Sequence, residues 1–425
     1  MRAFELVAVA SALSALACGG DVSSVADAGD AAIDAAPAKD SGAADTGADA
    51  DNGAPSDTYP FPHPPLPQIQ NLGGVVMKAP KLVPVIYAQD GYRAQIEAFL
   101  QQLVASQYLA DATSPYGAGK ATLAAPIELP DVPPATADDL DTQALLAAHI
   151  GKGGWPAATD DTLFMVFYPQ TTKVTYPKLG QACVDFWSYH LEMPLDGGGR
   201  AAYAVEPRCG KLWGMTGFDV ISARASHDLV NAMVDAFPIS SPAWHVTDDD
   251  HFAWSVAPGG QPANMCAWQR DGYARVVGNF IVQRTWSNAM AAQSHDPCLP
   301  ASAGPFFAAA PIFPDTVSIT GGAWGSRATK GVRIPVGQKR TLVVVLFSDG
   351  PTDAFNVQAQ DVDQILDPQS TGKLDFAWDR TTGKNGEKLH LTITALATGK
   401  YGGAELVIWA TSGSTTHAWW GFVAN

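Results

Sequence analysis

Apolar residues follow two different patterns in this chain, and the change near residue 313 restricts the folds that it can adopt. Between residues 71 and 312, runs that are apolar throughout, such as KLVPVIYA and DTLFMVFYP, alternate with amphipathic helical segments. Continuously apolar strands are typical of sheets covered on both faces. From residue 313 to 425, short strands alternate polar and apolar residues between turn signals. The pattern therefore predicts an α/β central domain over 71–312 and a C-terminal all-β, Ig-like sandwich over 313–425.

The N-terminus has the features of an export signal over residues 1–17. Arg2 precedes the short apolar run LVAVASALSALA, which Cys18 follows directly. The stretch LSALAC resembles a bacterial lipobox, so Cys18 is the predicted lipidation site; an ordinary cleaved signal beside an incidental cysteine is the alternative. Residues 18–70 are rich in Ala, Asp and Pro and lack the apolar residues of a core. They predict a disordered tether.

The charge of the chain bears on its partners. The formal net charge is −16, and the segment from Gly19 to Thr58 contributes nine Asp against one Lys. Nucleic-acid binding needs a basic surface, so this class of partner is excluded. The sequence predicts instead a protein that is exported and lipid-anchored at the outer membrane or cell surface. Its expected partners are the membrane, through the anchor, and an envelope polysaccharide or protein.

Four cysteines remain after Cys18, namely Cys183, Cys209, Cys266 and Cys298. An even number in an exported chain predicts two disulfides. The sequence leaves all three pairings open, and we favour the sequential one, Cys183 with Cys209 and Cys266 with Cys298. None of the spacings is that of a zinc ribbon or a redox CxxC motif.

The stretch ARASHDLVNAM, residues 223–233, carries the main candidate site. Its predicted helix places His227 and Asn231 one turn apart on the same face, with Asp228 beside the histidine. Zincins use this spacing for two zinc ligands, with a Glu after the first ligand as the base that activates water. The same histidine, next to Val230 and Ala223, also fits the apolar stripe of a core-facing helix.

The central region resembles the exordium (phosphate-induced protein) family and its secreted, metallopeptidase-like bacterial relatives. Family members have AHELAE or SHEIAEA where this chain has ASHDLVNAMVDAF, and GEIGDLC where it has GGQPANMC. Further ordered matches are CVDFWSYH, AYAVEPRC, PAWHV and GNFIVQRTWSNAMAAQSHDPC, so the resemblance covers about residues 73–300. It implies a zincin-like central domain.

The family's acids are replaced in this chain. The Glu after the histidine is Asp228, and the acid one turn later is Asn231. The Glu and Asp of GEIGD correspond to Gln261 and Asn264. Neutral amides are not usual zinc ligands, and a carboxylate withdrawn by about 1 Å can reduce a rate about 100-fold.

These replacements predict a degenerate metallopeptidase-like domain that binds an envelope ligand or partner and has no catalytic activity. No cofactor is expected. The alternative is a weak zinc-dependent hydrolase, in which Asp228 is the base and His227, Asp235 and His190 are the candidate metal ligands. A third possibility is a structural surface protein whose sandwich performs the recognition.

Overall fold

The computed structural model describes residues 52–425 except Lys178, Trp213, Ala323 and Pro368. The predicted signal peptide, Cys18 and residues 19–51 lie outside the described residues. The described helices are, in chain order, α1 Arg93–Val104, α2 Gln107–Thr113, α3 Asp139–His149, α4 Phe218–Val234, α5 Asn288–Ala292 and α6 Val362–Leu366.

Strands are present along the whole described chain. Those before residue 300 are β1 Gln70–Asn71, β2 Lys81–Tyr87, β3 Thr122–Leu123, β4 Ile127–Leu129, β5 Thr136–Asp138, β6 Thr162–Tyr168, β7 Lys173–Tyr176, β8 Gly180–Gln181, β9 Tyr189–Pro194, β10 Arg200–Pro207, β11 Lys211–Leu212, β12 Met215–Thr216, β13 Trp244–His245, β14 Tyr273–Val277, β15 Phe280–Gln283, β16 Thr285–Trp286 and β17 Cys298–Leu299. Those after it are β18 Phe307–Pro311, β19 Asp315–Thr320, β20 Ser326–Arg333, β21 Lys339–Ser348, β22 Phe355–Asp361, β23 Leu374–Trp378, β24 Thr382–Gly383, β25 Lys388–Ala395, β26 Gly403–Ser412 and β27 Thr415–Ala424.

The longest apolar runs form one central sheet in the order β3-β2-β6-β10-β9, with β4 also paired to β2. All its pairings are parallel except that of β9, which lies antiparallel to β10 at the edge. Alternate residues of β2 face two different cores: Leu82 packs in the core that contains α1, α2 and α4, and Val83 in the core that contains α3. Full burial of such a side chain stabilises the fold by about 1.5–3 kcal/mol. This two-sided burial explains why these strands are apolar throughout.

The predicted fold class, an α/β, zincin-like central domain followed by an all-β, Ig-like sandwich, is wrong. Of the described residues, 37% lie in strands and 18% in helices, and the strands form many separate sheets. The strands between residues 208 and 300 have only two to five residues and form small sheets such as β11-β12, β14-β15 and β16-β17. Strands this short leave little periodic signal in the sequence, so the prediction relied on a few long apolar runs.

Residues 307–424 form two sheets that share a core. One sheet has the order β18-β21-β25-β23 and the other the order β19-β20-β27-β26-β22-β24. Val344 and Leu391 of the first sheet belong to the same buried cluster as Leu406 and Ile408 of the second. This cluster continues into the residues around α4, so the two parts of the chain pack as neighbours. Strand β18, which the prediction assigned to the central domain, pairs with β21.

Residues 52–70, predicted as part of the tether, pack against the folded body instead. Asn385 donates its side-chain amide to the carbonyl oxygens of Ser56 (2.7 Å) and Thr58 (2.9 Å). The ring of His63 stacks on Phe347 with 3.5 Å between ring centroids. Ile69 is buried. The proline-rich composition that suggested disorder here belongs to an extended segment held by hydrogen bonds and aromatic contact.

Two disulfides are present, Cys183–Cys209 and Cys266–Cys298, which is the pairing favoured from the sequence. Disulfides persist in oxidising compartments, so they indicate an oxidising, extracellular environment. Within the described residues, no helix combines the length and the apolar character that crossing a membrane requires.

Candidate functional site

Helix α4, which carries the ASHDLVNAM stretch, lies in the interior of the protein. It begins after Gly217, whose φ of +60° is readily adopted only by glycine. Every residue from Val220 to Val234 is buried. The helix packs between β9 and β10 on one side and β15 on the other. Its polar side chains therefore have to find partners inside the protein.

His227 is held between two amide side chains. Its Nδ1 lies 2.9 Å from Gln283 Oε1, which is an acceptor, so Nδ1 carries the proton. Its Nε2 lies 3.3 Å from Asn231 Nδ2, which donates to it. Burial, with a smaller contribution from the charge of Arg224, lowers the pKa of His227 well below its usual value. The ring is therefore neutral, with both nitrogens engaged.

The three positions at which amides replace the family's acids lie around α4, in two hydrogen-bonded groups. Asn231 Nδ2 donates to Asn264 Oδ1 at 2.7 Å, and Asn231 Oδ1 accepts the backbone N–H of Ala263 at 2.9 Å. Gln261 Nε2 donates to Asp235 Oδ2 at 2.6 Å. Asn231 and Asn264 pair as neutral donor and acceptor, whereas Gln261 donates to the carboxylate of Asp235.

His190 and Asp235 lie in this region, but neither contacts the ring of His227. Asp235 accepts the backbone N–H of Ala243 at 2.8 Å through Oδ1, and its Oδ2 lies 3.4 Å from His245 Nε2. His190 Nε2 lies 3.1 Å from the backbone carbonyl oxygen of Asp235. Asp235 thus holds the chain after α4 to the segment before β13.

Asp228 pairs with a residue that sequence reasoning missed, Glu206 of β10. The two buried carboxyl groups are in hydrogen-bonding contact, and burial is the main cause that raises the pKa of each. Glu206 Oε1 and Asp228 Oδ2 have no hydrogen-bond donor among the described residues. Because a raised pKa favours the protonated form, one carboxyl of the pair can donate to the other. The one available signal was a glutamate inside the otherwise apolar run AAYAVEP.

Replacing Glu206 by Gln is expected to flatten the dependence of stability on pH. A carboxyl whose folded-state pKa is raised contributes stability that is complete below the unfolded pKa of about 4.3 and is lost as pH rises through the folded pKa. Urea unfolding at a series of pH values should show a free energy that falls more with rising pH in wild type than in Glu206→Gln. Glu405, whose pKa burial raises to about 8, provides the comparison: Glu405→Gln should remove a loss of stability that in wild type develops between about pH 4.3 and about pH 8. Identical slopes for wild type and Glu206→Gln would show that the pair is ionised.

The side chains around His227 do not fit a zinc ion, the metal that the family resemblance implied. Zinc binds imidazole nitrogen and carboxylate oxygen through free lone pairs. Nε2 of His227 accepts from Asn231 instead, and the carboxylate of Asp235 is occupied by its own donors. Within the described part of the chain, no group of three or more His, Cys, Asp or Glu side chains is arranged to hold a metal ion. The arrangement is a buried polar network that can hold a proton and fix the position of α4.

A surface cavity of about 630 Å³ opens beside edge strand β9 and α3, and its lining is mainly apolar. Its carboxylates already have structural partners. Asp139 accepts hydrogen bonds from the hydroxyls of Tyr189 (2.8 Å) and Tyr203 (2.7 Å). Glu192 accepts the backbone N–H of Ile239 at 2.9 Å. These groups join the walls of the cavity to each other.

A second cavity, of about 330 Å³, lies on the outer face of the sheet that contains β22, β26 and β27. We call it the Trp409 groove. Its lining combines aliphatic and aromatic side chains, among them Val357, Ile365 and Trp409, with the polar side chains of Arg270, Asn356, Gln358, Gln360 and Thr411. Both cavities fall within the volume range of small-molecule sites.

No protein-family model matches the sequence, and no curated protein matches it. Among solved structures, titin M4 in a trigonal crystal form is similar at 14% identity with a TM-score of 0.15, over 22% of this chain and 84% of the titin chain. A chimeric titin Z1Z2 carrying an exogenous peptide from decorin is similar at 14% identity with a TM-score of 0.16, over 28% of this chain and 95% of that chain. At these TM-scores neither similarity bears on the fold or function, so the function is inferred from the site itself.

Proposed function

We propose that this protein is an exported, lipid-anchored protein of the bacterial cell envelope that acts by binding a partner and not by catalysis. One observation carries the proposal: both ring nitrogens of His227 are hydrogen-bonded to amide side chains inside a buried network. A catalytic metal site needs an open coordination position that substrate and water can reach. His227 is only 7% exposed and Asp228 1%, which argues against such a position.

The anchor is proposed at Cys18. Its support is the lipobox-like stretch LSALAC, with an acidic, low-complexity segment behind it. The two disulfides agree with a location outside the cytoplasm. In this proposal the lipid holds the protein at the membrane, while residues 19–51 separate the anchor from the folded body.

We further propose that the chain is a divergent relative of the exordium family. The support is the order of sequence motifs over about residues 73–300. The contacts among Asn231, Gln261, Asn264 and Asp235 agree with it, because positions scattered along the sequence meet around a single helix. In such a relative, hydrogen bonds between amides have taken the place of acidic side chains.

The proposal predicts that the protein does not retain zinc. The mature chain produced with Cys18→Ser, to avoid lipidation, is loaded with zinc, dialysed and measured by elemental analysis beside His227→Ala. We expect less than stoichiometric zinc in both, because the imidazole lone pair is already occupied. His295→Ala, at a histidine paired with Asp349 and 42% exposed, controls for zinc bound at the surface.

The opposite pattern would overturn the proposal. If zinc were stoichiometric in the Cys18→Ser chain and in His295→Ala but lost in His227→Ala, the alternative of a zinc-dependent hydrolase with Asp228 as base would replace it. A peptidase screen would then be the next experiment.

A further inference from the structure

The Trp409 groove has a polar floor built by the alternation of strand residues. Along β22, Phe355, Val357 and Ala359 are buried, whereas Asn356 and Gln358 are exposed. Cross-strand pairing places Gln358 opposite Trp409 of β26, and Asn356 opposite Thr411. Residues paired in this way lie on the same face of a sheet. A row of amide and hydroxyl groups therefore lies beside a tryptophan on the outer face.

The indole of Trp409 is held in one orientation. Its Nε1 donates to Gln360 Oε1 at 2.7 Å. Its ring packs edge to face against Trp420, with 6.2 Å between centroids, and Trp420 packs in the same way against Trp268 at 5.1 Å. Trp409 remains partly exposed, whereas Trp420 is buried. Trp409 is thus packed against Trp420, which packs against Trp268. A ligand that stacks on Trp409 therefore restricts little side-chain motion that is not already restricted.

The chemistry of the lining is that of a sugar site. A pyranose ring has hydroxyl groups that donate and accept hydrogen bonds, and apolar C–H faces. The side-chain amide of Gln358 offers donors and an acceptor, and that of Asn356 offers its Nδ2 donors, since its Oδ1 already accepts from Thr382 Oγ1 at 3.0 Å. The hydroxyl of Thr411 lies 3.3 Å from that of Thr416, within hydrogen-bonding distance. An aromatic ring provides a large, rigid apolar surface. Arg270, exposed at the rim, adds a planar cation suited to a carboxylate substituent.

We propose that the Trp409 groove binds a saccharide, with one pyranose ring packed on Trp409 and its hydroxyls hydrogen-bonded to Asn356 and Gln358. This inference rests on the proposed binding function and names its site and its ligand class. Arg270 contacts an acidic substituent where the sugar carries one. The larger cavity beside β9 does not offer this chemistry, because its lining is mainly apolar and its carboxylates hold its walls together.

The test is saccharide binding by the full mature chain carrying Cys18→Ser. The probes are a soluble oligogalacturonate and a soluble cello-oligosaccharide, measured by calorimetry and by tryptophan fluorescence. We expect at least one of them to bind, and Trp409→Ala to weaken the binding about 10-fold, equivalent to about 1.4 kcal/mol. Arg270→Ala should weaken oligogalacturonate more than the neutral probe.

Two further variants keep the result interpretable. Asn356→Ala combined with Gln358→Ala alters only exposed side chains, so it should reduce affinity without unfolding the protein. Trp378→Ala removes a partly exposed tryptophan from β23 of the other sheet and should leave binding unchanged. Equal losses in Trp378→Ala and Trp409→Ala would overturn the groove assignment.

The failure of this inference is distinct from that of the proposed function. If neither probe binds, the saccharide assignment is overturned, while the absence of retained zinc would still support a binding protein with another type of ligand. If zinc is retained through His227, the proposed function is overturned whatever the saccharide result.

Discussion

Replacing Arg284 by Leu is expected to lower the free energy of unfolding by about 3–5 kcal/mol. The side chain of Arg284 is 2% exposed and forms ion pairs with Asp271 at 3.1 Å and with Asp296. It also donates to the carbonyl oxygen of Pro300 at 2.7 Å. Leucine replaces part of the buried volume but leaves two carboxylates without their cation in a region of low dielectric. Urea unfolding followed by tryptophan fluorescence measures the loss.

Arg340→Leu is the matched control. Arg340 likewise forms an ion pair, in its case with Asp315 at 2.7 Å, but its side chain is 42% exposed. Solvent screens such a pair, so its removal should change stability by no more than about 1 kcal/mol. Similar losses in the two variants would mean that burial is not the source of the Arg284 effect.

The ion pair between Arg284 and Asp271 also involves a second part of the chain. Asp271, its partner, accepts the backbone N–H of Thr416 at 3.2 Å through its second oxygen. Thr416 belongs to β27, and its side chain lines the Trp409 groove, next to Arg270. The buried ion pair therefore connects the central part of the chain to the sheet that carries the groove.

Removing the Cys266–Cys298 disulfide by the double variant Cys266→Ala/Cys298→Ala is expected to lower the free energy of unfolding by about 2–5 kcal/mol. The cross-link joins residues 32 positions apart, so its loss increases the entropy of the unfolded chain. Both cysteines are fully buried, and Cys298 also supplies a backbone carbonyl to Arg284. Thermal and urea unfolding of the oxidised proteins measure the change.

The Cys183–Cys209 pair provides the comparison within the same chain. Its sequence separation of 26 residues implies nearly the same loop-closure entropy. Cys183 is exposed, however, so its replacement by Ala leaves a smaller cavity in the core. Cys183→Ala/Cys209→Ala should therefore destabilise the protein less. A larger loss for this pair than for Cys266–Cys298 would contradict the role assigned to burial.

The elements with a long hydrophobic pattern of their own were predicted from the sequence. The run DTLFMVFYP became β6, apolar because both faces of the central sheet are covered. The ASHDLVNAM stretch lies on a helix. The sequence left all three disulfide pairings open, and the favoured pairing is the observed one. The two-residue strands between β10 and β18 were missed, because a segment that short has no periodicity of its own and is defined by the strand with which it pairs.

The prediction of the candidate site was limited in the same way, because it could not show which side chains contact each other. The residues that decide what His227 can do are Gln283 and Asn231, which hold its two nitrogens, and Glu206, which pairs with Asp228. Gln283 and Glu206 are polar residues in apolar strands. This suggests that each has a buried polar partner, but the sequence does not identify that partner. The metal-ligand hypothesis compared residue types with a family pattern, and residue types alone do not say which lone pairs are already in use.

Composition and hydrophobic period were enough to predict the cysteines that form disulfides, the long buried strands, the central helix and the acidic, low-complexity N-terminal segment. The tertiary fold, by contrast, buries the polar residues of α4 and places amide side chains at both ring nitrogens of His227. It also decided that residues 52–70 pack on the body, and that Trp409 faces outward beside Asn356 and Gln358. Those outcomes depend on contacts between residues up to hundreds of positions apart, whose energies are decided by burial and hydrogen-bond geometry in the assembled core.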